Sequence, residues 1–226
     1  VDPVELERTE IIALGAMLYL SDLTEVEAID LAYLVGANAA GRLGAVARRA
    51  RQLMLRSFEA DPDVAWFEAR NTIEHGAVTE REAVSSILHF NGAESVRGMV
   101  RTIQEQIDAR ELALIAALDR EAISLGGTSP SRGEAIDVRI PVRLTRGPLD
   151  FALPASRLLE DEAAWYSSRE FTLSGNARFE LVNFIDGTRS VTAIRDAISA
   201  EFRPVSTAVV ARYLDDLVKV GVVDWK

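Results

Sequence analysis

From Val26 to Met54 the residues Val26, Ile29, Tyr33, Gly36, Ala40, Leu43, Ala47, Ala50 and Met54 follow alternating steps of three and four. That spacing keeps one stripe on a cylinder of 3.6 residues per turn and fits no β period, so it predicts one long helix. Thr24-Glu25-Val26-Glu27 supplies its start, a capping box in which Thr and Glu side chains satisfy each other's backbone N–H groups. Gly and Ala dominate the stripe between Gly36 and Ala50, which lets a partner helix approach closely. Gly41 and Gly44 are where the helix would bend.

The neighbouring sequence supplies such partners. Asp2 reads as an N-cap with Pro3 at the first helical position and Glu5 completing a box, opening a first helix that runs to about Leu20. Its second half, Ile11, Ile12, Leu14, Met17, Leu18 and Leu20, is apolar on nearly all sides and predicts burial against more than one neighbour. This run is about ten residues, half of the roughly 20 that a bilayer-spanning helix needs, and no basic segment precedes it as in a signal peptide. A third helix is expected from Pro62 to about His75, capped by Asp61 and stopped by Gly76. A short fourth follows from Thr79-Glu80-Arg81-Glu82 to Asn91-Gly92. A fifth carries Val96, Val100, Ile103, Ile107, Leu114 and Leu118 on one face and ends at Gly126-Gly127. Residues 1–126 thus read as an antiparallel array of long helices.

Thr, Ser, Pro, Arg and Gly fill 128–133, and residues 127–169 read as a linker with a short strand and a short helix. In the strand Val138, Ile140, Val142 and Leu144 alternate with Arg139, Pro141 and Arg143, the proline placing it at an edge. The helix is expected around Ser156 to Tyr166. Residues 170–226 form a compact series: a helix with Phe179, Leu181, Val182, Phe184 and Ile185, a turn at Asp186-Gly187, and a helix capped by Ser190. A third helix, capped by Ser206, is stopped by Gly221, and Val222 to Trp225 is a terminal strand. Three short helices and a β-segment make a winged-helix-like α+β domain. The fold class is mainly α.

Two resemblances add to this reading. Val1-Asp2-Pro3-Val4-Glu5-Leu6-Glu7-Arg8 resembles the segment that follows the last metal-binding histidine in zinc aminopeptidases of peptidase family M-twenty-eight, and the long helices and tail resemble the C-terminal extension of some bacterial members. The stretches 179–191 and 213–223 resemble the tail of those peptidases and, more distantly, peptide-binding winged helices of the PqqD type. The first resemblance implies a helix packed on an α/β catalytic domain whose zinc ligands and catalytic Glu would all lie before Val1. A sequence that opens on Val1 rather than Met is in turn expected to begin inside a longer precursor.

No catalytic site is legible in these residues, and no cofactor is expected in the chain. The chain has no cysteine, hence no disulfide or thiolate ligand. Its two histidines, His75 and His89, lack the His-Glu-x-x-His spacing of a zinc site and read as ordinary surface or core residues, although Glu74 or Glu82 could complete a site in space. There is no Gly-x-Ser-x-Gly elbow, and Gly36 to Gly44 lacks the Gly-Lys-Ser/Thr ending of a phosphate loop. Asp215-Asp216 and Glu160-Asp161-Glu162 fall on polar helix faces.

A net charge of −10 argues against nucleic acid, whose phosphates demand clustered cations. From Glu170 onward seven Lys and Arg meet eight Asp and Glu, and the would-be recognition helix sets Asp215 and Asp216 beside Arg212 and Lys219. The expected partner is a protein or peptide, with an upstream catalytic domain or a second copy as candidates, and neither nucleic acid nor membrane. The first expectation is a non-catalytic accessory region of a metallopeptidase-like protein. The alternatives are a stand-alone peptide-binding module and a DNA-binding regulator. If an extended peptide adds to an exposed edge, the candidates are Val222, Val223 and Trp225 in the last strand and Arg139 and Arg143 in the earlier one. The compartment stays open, with the cytoplasm as default.

Overall fold

The computed structural model describes the backbone of residues 3–146, 149–150 and 153–226 and the side chains of the same residues from 7 onward. It is mainly helical. In chain order come α1 (Pro3–Ser21), α2 (Glu25–Ser57), α3 (Pro62–Ser85), a 3-10 turn at Ser86–His89, α4 (Glu94–Ser124) and the short strand β1 (Pro141–Arg143). Then follow α5 (Leu153–Arg157), α6 (Glu160–Ala163), a 3-10 turn at Ala164–Ser167, α7 (Gly175–Asn183), α8 (Val191–Glu201), α9 (Thr207–Lys219) and β2 (Val223–Trp225). The chain divides into two compact units, one of residues 1–49 and 73–117, the other of 50–72 and 118–226.

In the first unit the Thr24 box forms reciprocally: Thr24 N donates to Glu27 Oε2 at 3.0 Å and Glu27 N to Thr24 Oγ1 at 3.4 Å. The buried stripe of α2 here is Ala28, Ala32, Ala39 and Leu43, packed with Val84, Ile87, Val96, Val100, Ile103 and Ile107. Val26, Tyr33 and Ala40, expected inside, are exposed, because the buried stripe is turned around α2 onto Ala28, Ala32 and Ala39. A Cβ on Gly36 would come within 2.8 Å of Ile103 Cγ2.

Gly76 and the Thr79 cap do not end α3, which continues to Ser85. Gly76 is small for packing, since a Cβ there would stand 2.9 Å from Val46 Cγ1. Thr79 Oγ1 donates back to His75 O at 3.1 Å, and Glu80 is buried and holds Arg42 through two 2.6 Å hydrogen bonds. The supposed cap Thr79 is thus engaged within a continuing helix, and Glu80 beside it in the packing of α3 on α2. The expected burial of 11–20 is also corrected: Ile11, Ile12, Leu14, Met17, Leu18 and Tyr19 are all exposed, Ile12 at 73%. The Asp2 cap lies outside the described residues.

In the second unit α4 ends in a Schellman motif, Gly127 N donating to Ala122 O and Gly126 N to Ile123 O, with Gly126 at φ +99°. Ser174, Ser190 and Ser206 cap α7, α8 and α9, each accepting from the backbone N–H three residues on. Gly187 and Gly221 make left-handed turns after α7 and α9 that a side chain would strain. Leu181, Val191, Ile194, Ile198, Val210, Tyr213, Leu214 and Leu217 form the core, closed by Val222 and Val223. In place of one helix around Ser156 to Tyr166 there are two short ones and a 3-10 turn.

Candidate interaction site

The two edges suggested by sequence meet. β1 pairs antiparallel with β2 in the register Pro141 to Trp225, Val142 to Asp224 and Arg143 to Val223. Leu144 N donates to Val222 O and Lys226 N to Ile140 O, extending the ladder at both ends. Each edge therefore satisfies the other along this length. Val222 and Val223 are buried in the core, and Trp225 is half-buried. Arg139 sits over the Trp225 ring at 4.4 Å, while Arg143 lies within β1.

Before β1 the chain runs extended as a strap fixed to α8 and α9. Thr192 N donates to Asp137 O, Asp137 N to Thr192 Oγ1 at 2.8 Å, and Val191 N to Arg139 O at 2.9 Å. Glu134 Oε2 accepts from Thr207 N at 2.8 Å, placing a carboxylate on the α9 N-terminus where unpaired N–H groups favour negative charge. With these groups turned inward, Ile136 and Val138 point outward, 69% and 73% exposed. Residues 134–139 and Thr207, Ala208 and Ala211 of α9 enclose a groove of about 520 Å³.

An ion pair lies at the Arg139 end of this groove, opposite Glu134. Arg139 donates to Asp137 Oδ2 at 2.6 Å and to Asp215 Oδ1 at 2.8 Å. The Arg139 hydrogen bond holds the Asp137 carboxyl below its ordinary pKa against an opposing cost of burial, and Asp137 in turn keeps Arg139 charged. The groove thus offers an apolar strip with a rigid ionic end, and no nucleophile paired with a base is among its lining residues.

Behind the strap lies a buried ionic cluster. Arg195 Nη2 binds Glu68 Oε1, Arg195 Nε lies 2.9 Å from Glu134 Oε1 and donates to Val205 O at 2.7 Å, and Arg132 pairs with Asp196. Burial raises the Glu68 pKa even against the pull of Arg195. Burial also works against the charge on Arg195, but the Coulombic pull of Glu68 and Glu134 outweighs it and its pKa ends above the ordinary value. Sequence reasoning missed this cluster, whose central partners are 127 positions apart. Ile136 was within reach, since the alternation of Val138 to Leu144 continues backward to it.

His75 falls within α3 and His89 in a 3-10 turn, and among the described residues no group of three or more His, Cys, Asp or Glu is placed to hold a metal ion. No described helix is long and apolar enough to cross a membrane. Arg212 of α9 stacks over Trp165 at 4.2 Å and Lys219 pairs with Glu162 at 2.8 Å, so both cations of that helix are engaged. Comparison of the chain with protein-family models, curated proteins and solved structures gave no match.

Proposed function

We propose that this chain is a non-catalytic interaction region of a metallopeptidase-like protein, packing through α1 against a second folded body. The observation that carries the reading is the exposure of six large side chains, Ile11 to Tyr19, on all sides of α1. An amphipathic helix could rest on one surface, but one that is apolar all round leaves water only when it is enclosed. The resemblance of residues 1–8 and of the tail to extended zinc aminopeptidases names the enclosing body as an α/β catalytic domain. Zinc-ligand motifs in the coding sequence directly upstream of Val1 would support this, and a stop codon followed by a start site there would sink it. In the joined protein, Met17→Glu with Leu18→Glu should loosen the docked region, read as faster proteolysis of the helices at unchanged circular dichroism. Unchanged proteolysis would count against docking through α1.

A second reading, capture of an extended peptide in the groove beside α9, is favoured by the exposed Ile136 and Val138, which with residues of α9 line a groove of about 520 Å³. The series α7, α8, α9 and a terminal strand supports a winged-helix-like description, with the PqqD type as the resembling family. Apolar peptide side chains would lie on Ile136 and Val138 and the charged end would set register through Arg139. Fluorescence anisotropy with labelled extended peptides tests it: saturable binding should be weakened by Ile136→Glu, and binding indifferent to that change rejects the groove. DNA fits less well, because the partly exposed Asp215 of α9 would repel phosphate; Asp216, expected on a polar helix face, is instead buried and accepts from the Tyr166 hydroxyl at 2.9 Å.

A further inference from the structure

Helix α2 carries a second apolar face, on the side away from the core of its unit. Ala28, Ala32, Ala39 and Leu43 are buried, whereas Asp30, Ala37, Gly41 and Arg48, half a turn round the helix, are all exposed. Beside these, Val26, Tyr33 and Leu34 are 70%, 58% and 60% exposed. Between Asp30 and Arg48 the one charged residue is Arg42, and Glu80 holds it. A helix so apolar on both sides leaves water only when both are covered, and α3 and α4 cover one.

The open face is self-complementary in charge and in size. Asp30 and Arg48 stand toward its two ends, about 27 Å apart along the axis. Among the described residues neither side chain has a hydrogen-bond or ion-pair partner. Asp30 lies beyond the first turn of α2 and Arg48 more than two turns before its end, so the helix dipole, which acts on terminal turns, does not account for them. The large Tyr33 and Leu34 fall in the first half of the face, and the small Gly41, Gly44 and Ala45 in the second. A Cβ on Gly41 would meet nothing, which leaves room there for a neighbour. Two such helices laid antiparallel, with a two-fold axis level with Ala39, set Asp30 against Arg48 of the second copy and Ala37 against its Gly41. Leu34 then meets Gly44 of the second copy, and Tyr33 its Ala45. Laid parallel, the helices would oppose Asp30 to Asp30, Arg48 to Arg48 and Tyr33 to Tyr33.

We propose that this face of α2 is where two copies of the chain associate, antiparallel and about a two-fold axis. The pairing does not involve α1 and stands apart from the docking role given to that helix. A contact about 33 Å long and about 10 Å wide buries on the order of 700 Å² in total, below the roughly 1,200 Å² of stable complexes. The dimer is therefore reversible, with a Kd on the order of 100 µM.

Sedimentation equilibrium of the full chain from about 10 µM to about 1 mM tests this, with Met17→Glu and Leu18→Glu present throughout so that the exposed α1 does not contribute. The chain should dimerise within that range. Asp30→Arg and Arg48→Asp each oppose like charges and should weaken association at least about tenfold, while the two together should restore it to within about threefold. The chain has no cysteine, so a single introduced one reports the direction of pairing. With a short bismaleimide, Ala37→Cys near the axis should join the two copies, whereas Val26→Cys, about 39 Å from its counterpart, should not. A strict monomer up to about 1 mM would leave this face to a different protein and overturn the assignment. So would a double exchange that associates no better than either single one, or Val26→Cys joining as efficiently as Ala37→Cys.

Discussion

Arg195 of α8 and Glu68 of α3 form an ion pair whose two side chains are 5% and 4% exposed. Such a pair gains little over an apolar contact, but removing one member strands the other in a medium that cannot solvate it. Arg195→Met should therefore lower unfolding free energy by about 3–5 kcal/mol in urea titrations. Arg195→Lys should recover only a minor part, because one ammonium cannot reach Glu68, Glu134 and Val205 O in the geometry of a planar fork. A loss below about 1 kcal/mol for the methionine variant would show that the cluster is not closed to water.

Two glycines of α2 should respond with opposite sign to the same substitution. Gly41→Ala meets open space and should stabilise by up to about 1 kcal/mol through helix propensity. Gly36→Ala places its methyl 2.8 Å from Ile103 Cγ2, and the overpacking cost of about 1–3 kcal/mol should exceed the same gain. Paired thermal melts give the comparison directly.

Acid should weaken the strap. Asp137 is held below its ordinary pKa by Arg139, so its contribution is complete above the ordinary carboxylate range and is lost as pH falls through the lowered folded value. Glu68 works the other way. Burial raises its pKa, the folded state takes up the proton first, and its cost grows as pH rises through the raised value. Asp137→Asn should flatten the acid limb of a Tm against pH profile, and Glu68→Gln should flatten the fall on its neutral side.

Arg139 ties Asp137, Asp215 and the Trp225 ring together from a half-exposed position. Arg139→Ala should cost about 1 kcal/mol, the sum of small exposed ionic and cation–π contributions. Because Val191 N bonds its backbone oxygen, the strap should stay attached, and amide exchange at Val191 should change little beyond that global loss. Selective exposure of Val191 would mean that the side chain, not the backbone, holds the strap down.

Local signals were readable wherever the cause was local. Thr24, Asp61, Ser190 and Ser206 cap where their side chains predict, and Gly126, Gly187 and Gly221 adopt the positive φ that ends elements. Gly76 misled because a glycine that stops a helix and one that admits a neighbouring Val46 look the same in sequence. Thr79 to Glu82 misled because the helix already runs through it, Thr79 donating back to His75 O, and Glu80 is held by Arg42, 38 positions away. The same distance problem hid the Glu68 cluster, whereas Arg139 was named as an interaction residue without its pairing to Asp137, Asp215 and Trp225 in view.

The pairing of β1 with β2 closes a loop of roughly 80 residues, while α7, α8 and α9 are built from near neighbours. Helices of that kind form early, and a contact between ends so far apart waits until the intervening chain has contracted. The short sheet is then the clasp on an already assembled bundle, the last piece to set during folding.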